Sequence, residues 1–210
     1  LQYFYLPNAK NFGNRVFQGC INVNLTAYST SIINIIPACQ SFGDYCFEGF
    51  GSNIPASTIL NSNALSFYPY NSILTTIGEY CFANSTFRGF TLTSVTSVPK
   101  YAFKNCIYAE TINVSSANSI GDSAFENCIR LTGLNINYAD YLGSTTGNNG
   151  VFAGITGKSI QLNIQEDLYT VNDGLPDGDL VYLNENNTVT NIYNTTYPSG
   201  LRLTFNTAAN

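Results

Sequence analysis

Two apolar rhythms alternate along the chain. In Leu131, Leu134 and Ile136 the spacing ends in a period-two alternation, which predicts a short strand with one buried face. Just upstream, Asp122-Ser123-Ala124-Phe125-Glu126-Asn127 opens on a residue of N-cap type and carries one large apolar side chain. That pattern predicts a single turn of helix or 3₁₀, with Phe125 plugging the core.

The pair of rhythms recurs. Ile120-Gly-Asp-Ser-Ala-Phe125-Glu-Asn-Cys128, followed by Leu131, Leu134 and Ile136, repeats Val98-Pro-Lys-Tyr-Ala-Phe103-Lys-Asn-Cys106, followed by Ala109, Ile112 and Val114. Earlier copies are Ile77 to Asn84, Phe42 to Gly49 and Phe12 to Cys20, and a degenerate copy starts at Val151 and continues to Ile160, Leu162 and Ile164. The anchor phenylalanines stand at 17, 47, 82, 103, 125 and 152, in steps of 30, 35, 21, 22 and 27. A basal unit of about 22 residues explains every step, given insertions near 23–40, 53–76 and 137–150. One unit cannot bury its apolar side alone, so the copies must stack on a shared core. The expected fold is a right-handed α/β repeat solenoid over about 12–164, with parallel strands near 112–114 and 134–136 side by side.

Beyond residue 164 the anchor phrase is lost, and Gly174-Leu-Pro-Asp-Gly-Asp179 leads into Leu180-Val-Tyr-Leu183 and Asn186-Asn-Thr-Val-Thr-Asn-Ile192. A stacked fold needs a terminal element over its open core, so 165–210 is expected to form a cap or extension to a solenoid domain spanning 1–164.

The phrase at 120–136 resembles the BspA-like (Treponema pallidum type) leucine-rich repeat, found on surface proteins of bacteria and of parasitic protists. The resemblance spans roughly 12–164 and implies a parallel sheet on the concave face, with binding rather than catalysis as its use. Asp177 to Leu183 followed by Asn186-Asn187-Thr-Val-Thr190 is also similar, loosely, to segments that follow such repeats in tailed-phage structural proteins.

Composition narrows the chemistry. Histidine is absent from all 210 residues, which removes the imidazole base, the Ser-His and Cys-His pairs and the histidine zinc ligand. An enzyme would have to rely on paired carboxylates such as Asp140 and Asp167, or on an unsupported serine or cysteine. With Lys+Arg 8 against Asp+Glu 13, the net charge of −5 argues against a nucleic-acid partner. The apolar runs, such as Ile32-Ile33 and Ile35-Ile36, are too short to span a bilayer. The chain opens at Leu1 without methionine or leader, as a processed form or fragment does, so any export signal or anchor is expected outside these residues.

The six cysteines follow the repeat. Cys20, Cys106 and Cys128 stand three after an anchor phenylalanine, and Cys46 and Cys81 stand just before one. Such columns predict buried free thiols; the alternative is a disulfide, with Cys39, which alone is off register, its foremost member. No metal or cofactor is expected, since no CxxC pair occurs and Asp173, Asp177, Asp179 and Glu185 lack the EF-hand order. The glycine-rich 143–150 has no phosphate-binding pattern and reads as a loop. Five N-x-S/T sequons begin at Asn24, Asn84, Asn113, Asn186 and Asn194, about the number that chance supplies in so Asn-, Ser- and Thr-rich a chain.

The functional expectation is a non-enzymatic recognition or adhesion module, extracellular or at a cell surface, that binds a protein or glycan on another cell or particle. Its candidate face is Glu110, Thr111 and Asn113 with Thr132, Gly133 and Asn135, flanked by Arg88, Gly89 and Thr91 and by Lys158, Ser159 and Gln161. Tyr68, Tyr70, Tyr138 and Tyr141, in the inserted loops, are candidate aromatic anchors or loop-packing residues. The competing expectation is a structural or receptor-binding component of a tailed-phage virion, buried against neighbouring subunits.

Overall fold

The computed structural model of the chain describes residues 6–22, 36–60, 66–67, 73–136, 141–142, 150–155, 159–164 and 202–207, the backbone alone at 141–142, 159–164 and 202–207. Among the described residues eleven strands, all paired in parallel, form three ladders. The wider ladder joins β3 (Ser66–Phe67), β4 (Gly89–Thr91), β6 (Thr111–Asn113), β8 (Gly133–Asn135), β10 (Ser159–Ile164) and β11 (Arg202–Thr207), in that order. A second sets β1 (Asn11–Phe12) beside β2 (Ser41–Phe42), and a third orders β5 (Ser97–Val98), β7 (Ser119–Ile120) and β9 (Tyr141–Leu142). The lone bridge from Ser41 to Thr76 and the bond from the Thr96 amide to the Thr75 carbonyl link these last two.

The register confirms the 22-residue unit. Thr111 faces Gly133, Ser97 faces Ser119, and Ser119 faces Tyr141. Each coil therefore runs strand, turn, short strand, anchor loop, and then enters the next coil. Phe67, Phe90, Ile112 and Leu134 point inward from the wider ladder, as the period-two pattern requires, and all are buried.

The anchor loops differ in detail from the expected turn of helix. Within one loop, alternate amides bond three residues back, as Glu126 does to Ser123 and Cys128 to Phe125. The intervening amides cross to the next coil: Phe103 donates to Ala124, Asn105 to Glu126, Phe125 to Val151 and Asn127 to Ala153. Spacing of 3₁₀ type is thus present, but every second donor leaves the loop to hold the stack. This alternation needs two left-handed residues per loop, two before and two after the anchor. Arg15, Tyr45, Tyr80, Tyr101 and Ser123 fill the first place at φ 52–63°; Gly19, Gly49, Asn84, Asn105, Asn127 and Gly154 fill the second at φ 57–75°. Among the described residues the one α-helix is α1 (Ala56–Leu60), outside the anchor loops.

The anchors form one unbroken column. Rings of Phe17, Phe47, Phe82, Phe103, Phe125 and Phe152 lie 4.9–5.8 Å from neighbour to neighbour, with planes 10–25° apart. All but Phe17 are wholly buried, and each fully buried phenylalanine contributes about 1.5–3 kcal/mol by leaving water.

Two sequence-based boundaries move. The insertion expected at 137–150 contains β9, in ordinary register with β7, so its extra residues fall between Leu142 and Phe152. Tyr141 accordingly belongs to a strand of the stack rather than to an inserted loop. Likewise 53–76 contains β3, which is the repeat strand of its own coil paired with β4, preceded by α1. Cys39 is also in register: like Val95 and Ala117, its amide closes a turn onto the residue three back, and it is buried in the same way.

Candidate functional site

Alternate residues of the wider ladder line up in two rows of register partners. One row is Ser66, Gly89, Thr111, Gly133, Gln161 and Thr204, and the other is Thr91, Asn113, Asn135, Asn163 and Asn206. Of these expected site residues Thr111 is exposed, Thr91, Asn113, Gly133 and Asn135 are half-buried, and Gly89 is buried. Short polar side chains on a parallel sheet leave a broad, low-relief surface.

Arg88, Glu110 and Thr132 stand in register at the entry to β4, β6 and β8, and ion pairs link Glu110 to Arg88 and to Arg130. Arg88 Nη2 meets Glu110 Oε2 at 2.8 Å, and Arg130 Nη2 lies 3.5 Å from Glu110 Oε1. Arg88 also donates to the Leu60 carbonyl at 3.2 Å, tying α1 to the sheet edge. Exposed Thr132 donates through its hydroxyl to the Glu110 carbonyl at 3.2 Å. Glu110 and Arg88 are therefore committed to each other, whereas Thr111 presents its side chain to solvent. Asn113 Oδ1 accepts from the Ser115 amide at 3.2 Å.

A second surface feature escaped the sequence reading. Tyr45, Tyr80 and Tyr101, one per coil at the first left-handed position, stack with centroids 4.8 and 4.5 Å apart. Arg15 covers the Tyr45 face at 5.0 Å and Lys104 Nζ lies 5.1 Å from the Tyr101 ring. Alongside, Lys100 pairs with Asp122 at 3.0 Å and Lys104 with Glu126 at 2.9 Å. The signal in the sequence is the recurring Tyr two before Phe, at 45, 80 and 101.

Burial sets the state of five of the six thiols. All six cysteines are free, and all but half-buried Cys20 are buried. Burial pushes the thiols of Cys39, Cys46 and Cys106 up to about 12, and those of Cys81 and Cys128 well above the usual value. Among the described residues no cluster of carboxylates and thiols has metal-binding form. No helix among them is long and apolar enough to cross a membrane. Lys158, Tyr68, Tyr70, Tyr138, Asp140, Asp167 and the acidic stretch 173–185 lie outside the described residues.

A family model described as the BspA type leucine-rich repeat region, in six copies, matches residues 27–146 and 52–178. No curated protein and no solved structure matches the chain, and the likeness of 177–190 to phage structural proteins gains no support.

Proposed function

Because the chain belongs to the BspA-type leucine-rich repeat family, a repeat built for binding, we propose that it is a non-enzymatic protein-recognition module displayed at a surface. Contact is made through the outward face of the wider ladder, at Thr91, Thr111, Asn113, Thr132, Gly133 and Asn135, with Arg88 and Glu110 at its entry edge and with β10, at Gln161, as its continuation. The observation that carries this reading is the register itself. Parallel pairing at a fixed step brings short polar side chains from successive coils into two straight rows, a wide surface suited to contact with a macromolecule. Arg202–Thr207 supports the view of 165–210 as a terminal extension, because β11 adds a further strand beside β10.

The test is adhesion of the labelled protein to intact cells and to immobilised extracellular-matrix protein. Replacing Thr91, Thr111 and Thr132 together by arginine should abolish adhesion while leaving the circular dichroism spectrum unchanged. Undiminished adhesion by the folded variant would place contact on another surface.

A further inference from the structure

Three side-chain amides form a ladder at the second left-handed position of the anchor loops. Asn127 Nδ2 donates to Asn105 Oδ1 at 2.9 Å, and Asn105 Nδ2 donates to Asn84 Oδ1 at 3.0 Å. Each amide therefore turns its nitrogen toward the preceding coil. The ladder stops at Asn84, because the preceding coils place Gly49 and then Gly19 at that position. The coils are in direct contact there, the Gly49 amide donating to the Ala83 carbonyl and the Gly19 amide to the Glu48 carbonyl. Among the described residues Asn84 Nδ2 has no acceptor, and Asn84 is exposed. The space in front of it is bare: a Cβ built on Gly19 meets nothing within 4 Å, and one on Gly49 meets only the Gly19 Cα at 4.0 Å.

Asn84 opens the sequon Asn84-Ser85-Thr86. We propose that Asn84 is an N-linked glycan attachment site, the sugar lying over the track left open by Gly49 and Gly19. The inference rests on the reading of the chain as surface-displayed, with a route to the surface that passes a membrane-bound oligosaccharide transferase. The co-substrate class is a polyprenyl-diphosphate-linked oligosaccharide. Asn84 Nδ2 forms a bond to the anomeric carbon, the bond from that carbon to the diphosphate oxygen breaks, one amide proton passes to a base of the transferase, and polyprenyl diphosphate leaves. A secondary amide keeps its carbonyl oxygen, so Asn84 Oδ1 still accepts from Asn105 and the ladder survives modification.

The other described sequon differs. Asn113 has its Oδ1 held by the Ser115 amide, and it sits half-buried in β6 with Thr91 and Asn135 in register on either side. Timing also follows from the geometry. In the folded chain Thr86 is buried with its hydroxyl donating to the Phe50 carbonyl at 3.2 Å, so the sequon is accessible only before the coil closes.

The experiment expresses the full chain behind a cleavable secretion signal in a eukaryotic host and maps secreted, folded protein by peptide-N-glycosidase digestion in ¹⁸O water. Conversion of Asn84 to labelled Asp in about half or more of the molecules, with Asn113 well below it, is the expected result. Asn84→Gln should lose that one glycan and no other. Secreted folded protein unmodified at Asn84 overturns the proposal whatever the other sequons carry, and so does glycan at Asn84 confined to retained, misfolded chain. Adhesion plays no part in the readout, so a failure here is distinct from a failure of the recognition reading.

Discussion

Cys128 Sγ donates to the carbonyl oxygen of Phe103, 25 residues earlier, at 3.1 Å, and Cys106 Sγ repeats the bond to Phe82 at 3.0 Å. The thiol is small enough for the inner column and spans one coil to reach the preceding anchor's carbonyl, which gives cysteine a structural use without any redox chemistry.

Alkaline pH should therefore unfold the protein. The buried thiols hold their protons in the fold, at about 12 for Cys39, Cys46 and Cys106, while in the unfolded chain they release them at about 8.5. The folded values are raised, so the stabilisation is complete below the unfolded value and is lost as pH climbs toward the folded one. Urea midpoints should be level from pH 7 to 8 and fall steadily above about pH 8.5. A midpoint that rises or stays constant up to pH 10.5 would contradict the buried thiol columns. At pH 8 a thiol reagent should label Cys20 first and the other five only on unfolding.

Phe125 is clasped between Phe103 at 5.7 Å and Phe152 at 5.8 Å. Phe125→Ala removes the ring from a rigid stack and should cost about 3–5 kcal/mol in equilibrium denaturation. A loss below about 1 kcal/mol would mean that the column is not the core.

Tyr80 combines a left-handed backbone, φ 54°, with rings on both faces. Replacement by alanine loses the stacking and keeps the backbone strain, while glycine loses the stacking and relieves the strain. Tyr80→Gly should be more stable than Tyr80→Ala by about 1 kcal/mol, the reverse of the order in helices and strands. Thermal melts of the two variants decide it.

Two glycines should respond oppositely to alanine. A Cβ on Gly121 would stand 2.6 Å from the Lys100 amide nitrogen and 2.8 Å from the Pro99 carbonyl carbon, both backbone, whereas on Gly133 it meets only Thr111 Cγ2 at 3.6 Å. Gly121→Ala should cost about 1–3 kcal/mol by forcing adjacent coils apart. Gly133→Ala should be close to neutral by the same denaturation assay.

The repeat, its period and the buried anchors were legible because burial imposes residue type: only one large apolar residue fits each loop. The strand pairs near 112 and 134 followed from the same phrase. Cys39, β3 and β9 were not legible, because their register is counted from the short strands, and a two-residue strand carries too little pattern to see. The left-handed pairs were hidden for another reason. Tyrosine, arginine and serine do not signal positive φ, which here is enforced by hydrogen bonds to the next coil and not by local preference. On the candidate face Thr111 and Thr132 are exposed, and the ion pairing of Arg88 with Glu110 needed the 22-residue stacking in three dimensions.

The central claim is that successive coils pair in parallel at a fixed step, and nuclear Overhauser contacts between backbone protons test it most directly. Cross-peaks should link Ile112 with Leu134, Phe90 with Ile112 and Val98 with Ile120, each pair advancing in the same direction along the chain. Contacts that run in opposite directions, with residues after 112 meeting residues before 134, would show a hairpin and contradict the solenoid.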